Sequence, residues 1–347
     1  MAEPRFDAAR AFGGWAMSPD DRARLPYYDH LLNTLADSSV ARDLLVEVRA
    51  TQRNPMLVLA ALHYRALRGD AVLAALYRSI GEATPVAFAA GVVARLEEEP
   101  SIVRDELHRS TQTNEPGRSA VLAAVLRELR TRGAHDVHLI DVGTSMGLNL
   151  YPDLYRVNVD DGDPAALSME DWDGTVSDGE LPRVHQRIGL DLHPLDPEDP
   201  DDVLWLRACL WPEEQHRSAR LDAILARLAA WPRATRLRGT ALDLIDGAVA
   251  SCSTDATPVI FHSWVAGYFS RDDQEQWHER MIRHVARGAC WVYFEHPEIV
   301  AGLAPPAPSA PAPREGAAQI VVAEPRGEPA AWGWAHPHGR WIALHPQ

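Results

Sequence analysis

The stretch His138-Leu139-Ile140-Asp141-Val142-Gly143-Thr144-Ser145-Met146-Gly147-Leu148-Asn149 decides the fold class. Residues 137–142 are mostly apolar, with two valines and an isoleucine, which predicts a short buried strand. One acid, Asp141, stands near its end, and a G-x-x-x-G segment follows at once. Gly143 lets the chain turn sharply off the strand and leaves bare backbone for a ligand. Gly147 allows a close approach, and a helix expected to begin near it would offer unpaired N–H groups. Strand, glycine loop and helix in that order open a βαβ unit.

Upstream, residues 117–132 carry Val121, Leu122, Val125, Leu126 and Leu129 at helical spacing, and Gly133 is a natural stop. Earlier still, the chain is rich in alanine, leucine and arginine. Helices are expected over 56–68 (with Leu57, Leu59, Leu62 and Leu67 as its stripe), 71–80 and 85–99, forming an N-terminal helical subdomain over 1–116. Downstream, strands are expected over 184–192, 235–238, 258–262, 289–295, 319–323 and 341–344. Between them lie helices over 199–230 (broken near Trp211-Pro212), 242–250 and 272–287. Residues 160–180 read as an acidic excursion and 304–313 as a Pro/Ala linker. The sum is an α/β domain over 117–347. Its form is Rossmann-like and doubly wound, on a mostly parallel sheet of about seven strands with an antiparallel C-terminal pair.

Composition narrows the function class. The chain has 347 residues, 46% hydrophobic and 24% charged, with a formal net charge of −15. That balance argues against nucleic-acid binding, which needs a basic stripe, and fits a protein acting on a small molecule. Cys209, Cys252 and Cys290 form no CxxC pair, so neither zinc nor a disulfide framework is indicated. The N-terminus lacks the apolar segment of a signal peptide, and no apolar run is long enough to span a bilayer. The expectation is a cytoplasmic protein without a membrane partner. His336-Pro337-His338 hints at metal, but a glycine-containing turn explains it better.

The glycine loop distinguishes two cofactor classes. Dinucleotide enzymes favour G-x-G-x-x-G, a spacing absent here. The acid-x-G-x-x-x-G pattern resembles motif I of class I S-adenosylmethionine-dependent methyltransferases. That resemblance implies a cofactor site formed by Asp141, Gly143, Thr144, Ser145, Gly147 and Asn149. It also implies an acid at the end of the second strand for the ribose hydroxyls. Asp191 stands there, either in that role or as a cap on the helix beginning near Asp199. Thr240, after the third strand, takes the position facing the adenine. His262, after the fourth, is either a general base or a structural histidine, and Glu295 either a second base or a capping acid. Ser263 lies beside them. The polar segment Gln112, Asn114, Glu115 and Arg118 precedes the helix leading into the first strand and either orients a substrate or supplies an N-cap.

Taken together, QTNEPGR, LIDVGTSMGLNLYPDLYR, RIGLDLHPLD, LRACLWP, VIFHSW and HPHGRW resemble a bacterial domain-of-unknown-function family frequent in actinobacteria. The likeness runs over nearly the whole chain. It implies a methyltransferase-like domain behind a helical part and no particular reaction. Such sequences tend to carry Glu at the position of Asp141 and Gly-Asp-Ala where Gly239-Thr240-Ala241 stands here. The function expected is an S-adenosylmethionine-dependent methyltransferase acting on a small molecule. The alternatives are a non-catalytic ligand-binding protein on a degenerate methyltransferase fold and an NAD-dependent oxidoreductase.

Overall fold

The computed structural model describes residues 6–14, 19–158, 162–167, 169, 171–172, 179–308, 312–314 and 316–345. The chain divides into two compact units, Met1–Thr113 with Asp196–Asp222, and Asn114–Leu195 with Ala223–Gln347. The expected boundary near 116 falls three residues late. The segment 196–222, expected in the second domain, groups with the first unit.

The first unit is helical. Its helices start where the sequence supplies a cap and a proline together. Asn54 accepts from the Met56 amide before helix Pro55–Leu67, and Thr84 accepts from the Ala87 amide before helix Pro85–Glu98. Helix Pro55–Leu67 is buried nearly all round, as its composition demands. Leu67, counted in its stripe, is instead exposed. Helix Pro26–Asp37 has no cap of its own, because Leu25 offers none. Glu213 caps it from far along the chain, accepting from the Tyr27 and Tyr28 amides at 2.7 and 3.2 Å. The helical stretch expected over 199–230 with a break near Trp211-Pro212 is two helices, Pro200–Ala208 and Gln215–Leu228, parted there.

The second unit is built on nine strands: β1 Asp136–Val142, β2 Asp171–Trp172, β3 Arg183–Asp191, β4 Thr235–Arg238, β5 Thr257–Ser263, β6 Cys290–Glu295, β7 Ala318–Ala323, β8 Ala330–Ala335 and β9 Trp341–Leu344. Their order is β2-β9-β8-β7-β6-β5-β1-β3-β4. Strands β6, β5, β1, β3 and β4 are mutually parallel. β7, β8 and β9 follow as an antiparallel meander, and the two-residue β2 pairs parallel with β9. The winding runs outward from β1 in both directions. The point where it reverses, between β1 and β5, is where open α/β sheets hold their ligands.

Two expectations change. Among the described residues the sheet has nine strands rather than about seven, and its C-terminal pair is a three-strand meander. Two strands were not expected: the two-residue β2, within the stretch read as an acidic excursion, and β8, which reads AAWGWA; alanine and glycine are poor strand formers. Gly333 sits at φ 153, and a β-carbon there would fall 2.0 Å from the Ala343 carbonyl oxygen. The residue that hides the strand is the one its crowded pairing requires. Nor does an α-helix begin near Gly147. The chain makes one 3-10 turn, Leu148–Leu150. Pro152 accounts for this: it cannot continue a helix, and it pushes Tyr151 out of helical geometry (φ −122, ψ 40).

One face of the sheet buries Ile140, Val142, Ile188, Leu190, Ile260, Trp291 and Tyr293. They pack against Ile245 of helix Ala241–Ala250 and against Trp277, Met281 and Val285 of helix Arg271–Ala286. Helix Gly117–Thr131 is buried from Gly117 through Leu126. At its start the β8–β9 turn comes in backbone to backbone. A β-carbon on Gly117 would lie 2.2 Å from the His338 carbonyl oxygen, and one on Gly339 (φ 69) would lie 2.0 Å from the Gly117 carbonyl oxygen. Gly133 (φ 106) has open space instead. Gly133→Ala therefore carries only backbone strain, about 1–2 kcal/mol. Gly339→Ala adds a clash with main chain and is expected to cost more than about 3 kcal/mol. Urea midpoints of the two variants check this, and equal losses would refute the close approach.

Candidate functional site

The glycine loop folds down onto β3. The Gly143 and Thr144 amides donate to the Leu190 carbonyl at 2.8 and 3.2 Å, and the Gly147 amide donates to the Thr144 carbonyl at 2.8 Å. The Thr144 side chain lies over Gly189, where a β-carbon would fall 2.4 Å from its methyl. Its hydroxyl donates to Asp141 Oδ2 at 2.9 Å. Asp141 is buried, and burial pushes its carboxyl up to about 7. The Asp191 charge adds to that shift, while the Thr144 bond and the Arg118 charge oppose it. Ser145 takes a left-handed conformation (φ 55), rare for a side chain other than glycine.

Asp191 turns toward this loop. Its Oδ2 accepts from the Ser145 amide and its Oδ1 from the His193 amide, each at 2.8 Å. Helix Pro200–Ala208 is capped by Asp199, so Asp191 has no capping role there. Asp191 is only half-buried, and its neighbour Leu192 is 49% exposed.

The polar segment before helix Gly117–Thr131 is buried and braces other loops. Asn114 Oδ1 accepts from the Leu148 amide at 2.9 Å, and Glu115 Oε1 accepts from the Gly117 amide at 3.0 Å. The Arg118 guanidinium donates to the carbonyls of Pro337 at 2.9 Å and Ser263 at 3.2 Å. Ser119 donates to Asn149 Oδ1 at 2.9 Å. Gln112 falls in the helical unit, where its amide donates to Cys209 Sγ at 3.4 Å. Thr240 caps helix Ala241–Ala250, exchanging hydrogen bonds with Asp243 at 2.7 and 3.1 Å. That occupies the hydroxyl assigned to the adenine side.

His262 and Glu295 have a different place from the one their strand-end positions suggest. His262 shares its strand face with Ile260, and Glu295 shares its own with Trp291 and Tyr293. Both therefore point to the packed core. His262 is stacked on the Tyr293 ring (centroids 5.2 Å apart, planes 9°), and Trp277 Nε1 donates to its Nε2 at 3.4 Å. The proton then sits on Nδ1, which donates to Glu295 Oε1 at 2.9 Å. Glu295 is fully buried, and the same Oε1 accepts the amides of Val265 at 2.9 Å and Ala266 at 3.1 Å. Both ring nitrogens of His262 are thus engaged inside the core. Glu295 organises the loop after β5.

That loop holds what the sequence reading missed. A β-carbon on Gly143 (φ 75) would fall 2.4 Å from Val265 Cγ2, so Val265 lies on the bare backbone expected to receive a ligand. Trp264 is left-handed (φ 58). The Ser145 and Ser263 hydroxyls, the Trp264 indole nitrogen and Glu295 Oε2 are buried with no hydrogen-bond partner. They sit at the ends of β5 and β6 and on the loops after β1 and β5. No signal in the sequence pairs Val265 with Gly143, which lie far apart along the chain.

Among the described residues, no group of three His, Cys, Asp or Glu is placed to hold a metal ion. His336-Pro337-His338 forms a turn closed by the Gly339 amide on the His336 carbonyl at 2.9 Å. No helix is long and apolar enough to cross a membrane among the described residues.

The buried Asp141 carboxyl has a measurable signature. It binds its proton more tightly folded than unfolded, so its contribution to stability is full at low pH. That contribution is lost as pH rises from about 4 to about 7. The stability of Asp141→Asn relative to wild type is therefore expected to rise with pH over that window, by on the order of 4 kcal/mol. Denaturant unfolding of both proteins from pH 4 to 8 measures the difference, and a difference independent of pH refutes the assignment.

Comparison with known proteins adds the family. No curated protein matches the chain. One family model spans residues 13–343, and on that match the chain belongs to the bacterial family described as an uncharacterized protein conserved in bacteria (DUF2332).

Proposed function

We propose that this chain is a ligand-binding protein on a Rossmann-like, methyltransferase-like scaffold, and that it holds the adenosine part of a small molecule at the carboxyl ends of β1 and β3. The order β4-β3-β1-β5-β6, all parallel, supports the scaffold reading. What carries the ligand reading is Asp191. Each of its oxygens already accepts one loop amide, which fixes the carboxylate in place. A carboxylate has about four lone-pair positions, so each oxygen keeps one for a ribose hydroxyl. Leu192, exposed beside it, offers apolar surface to the base.

Whole S-adenosylmethionine fits this site in one half only. Asp191 and Leu192 suit its nucleoside. Its amino-acid tail would need the bare backbone of Gly143, which Val265 covers. Methyl transfer with His262 or Glu295 as base is no part of this reading, because both side chains are committed within the core. The net charge of −15 is in keeping with a neutral nucleoside rather than a polyanionic ligand.

Calorimetric titration of the whole chain with adenosine and 2′-deoxyadenosine tests the reading without altering the protein. Adenosine is expected to bind, and loss of one of the paired hydroxyls to weaken it about tenfold or more. Asp191→Asn, checked for an unchanged melting curve, is expected to bring adenosine down to the level of the deoxy compound. Absence of adenosine binding, or equal binding of both nucleosides, overturns the proposal.

A further inference from the structure

The loop after β5 is held with unusual firmness for a stretch of seemingly ordinary residues. Val142 is paired with His262 in the β1–β5 register, so Gly143 leaves β1 beside the start of this loop. The Trp264 amide donates to the Phe294 carbonyl at 3.1 Å, and its backbone stays left-handed. A tryptophan keeps that conformation only where its surroundings impose it. The next two amides, of Val265 and Ala266, both end on Glu295 Oε1, the same oxygen that takes the His262 proton. These bonds press one Val265 methyl onto Gly143. Gly143 thus has a reason for lacking a side chain that involves no ligand: Val265 occupies the space.

The consequence follows from the strand order. Asp191 and Leu192 lie at the end of β3, and β1 stands between β3 and β5. A nucleoside held by its diol and base at β3 has its 5′ carbon at the other end of the sugar. A long 5′ substituent running across β1 toward β5 meets Val265. We propose that Val265, positioned by the His262–Glu295 pair, is the specificity-determining residue of this site. It admits a nucleoside and excludes one with a bulky 5′ extension. The inference rests on the adenosine reading above and adds to it the size limit of the ligand.

Calorimetry with adenosine and S-adenosylhomocysteine, on wild type and on Val265→Ala, tests it. Wild type is expected to bind S-adenosylhomocysteine at least about tenfold more weakly than adenosine. Val265→Ala is expected to recover most of that factor for S-adenosylhomocysteine and to leave adenosine within about twofold. Val265→Thr keeps the branched shape and is expected to keep the discrimination, a result that a merely loosened loop would not give. Equal affinity of wild type for the two compounds, or a Val265→Ala change that affects both alike, overturns the role of Val265 while leaving the adenosine site standing. Failure of adenosine to bind wild type overturns the site itself and this inference with it.

Discussion

A single carboxylate oxygen organises the carboxyl end of β5 and the loop that follows it. Glu295 is fully buried, and its Oε1 accepts from one imidazole N–H and two backbone amides. Burying a carboxylate is tolerable only with such donors in place. The requirement works in both directions. The buried carboxyl has its donors because the loop supplies amides, and the loop keeps its strained path because those amides end on the carboxyl. The tautomer of His262, the placement of Val265 and the closure over Gly143 all follow from that mutual constraint.

A second brace sits at the start of helix Gly117–Thr131. Arg118 ties the β8–β9 turn to the end of β5, while Gly117 and Gly339 let two main chains meet where any side chain would part them. Segments that look unrelated in the sequence, QTNEPGR, VIFHSW and HPHGRW, therefore meet around one guanidinium. The polar residues of the first segment hold loops in register, and their burial is the consequence of that job.

Much of the architecture was legible because its signals are local. Strands β1, β5 and β6 are short, mostly apolar runs, and prolines with caps announce the helices. Strand β8 was hidden because Gly333, forced by crowding, reads as a breaker. The site was legible in position and only partly in role. Strand-end residues were found, but the direction each points depends on parity, and in runs such as PVIFH both faces are buried, so alternation carries no information. Thr240 was different: Thr240 followed three residues later by Asp243 is a capping pattern, and its hydroxyl is used that way. Val265 lay beyond local reasoning, because its partner Gly143 is distant in sequence.

The split composition of the helical unit bears on how the protein is made. Residues 196–222 belong to it, yet they emerge from the ribosome only after three of the sheet's strands, β1, β2 and β3, have been synthesised. Helix Pro26–Asp37 waits for its cap from Glu213, more than 180 residues later. The nascent N-terminal helices must therefore persist with an unfinished core, and such an interval is when apolar surface is open to chaperones or to aggregation.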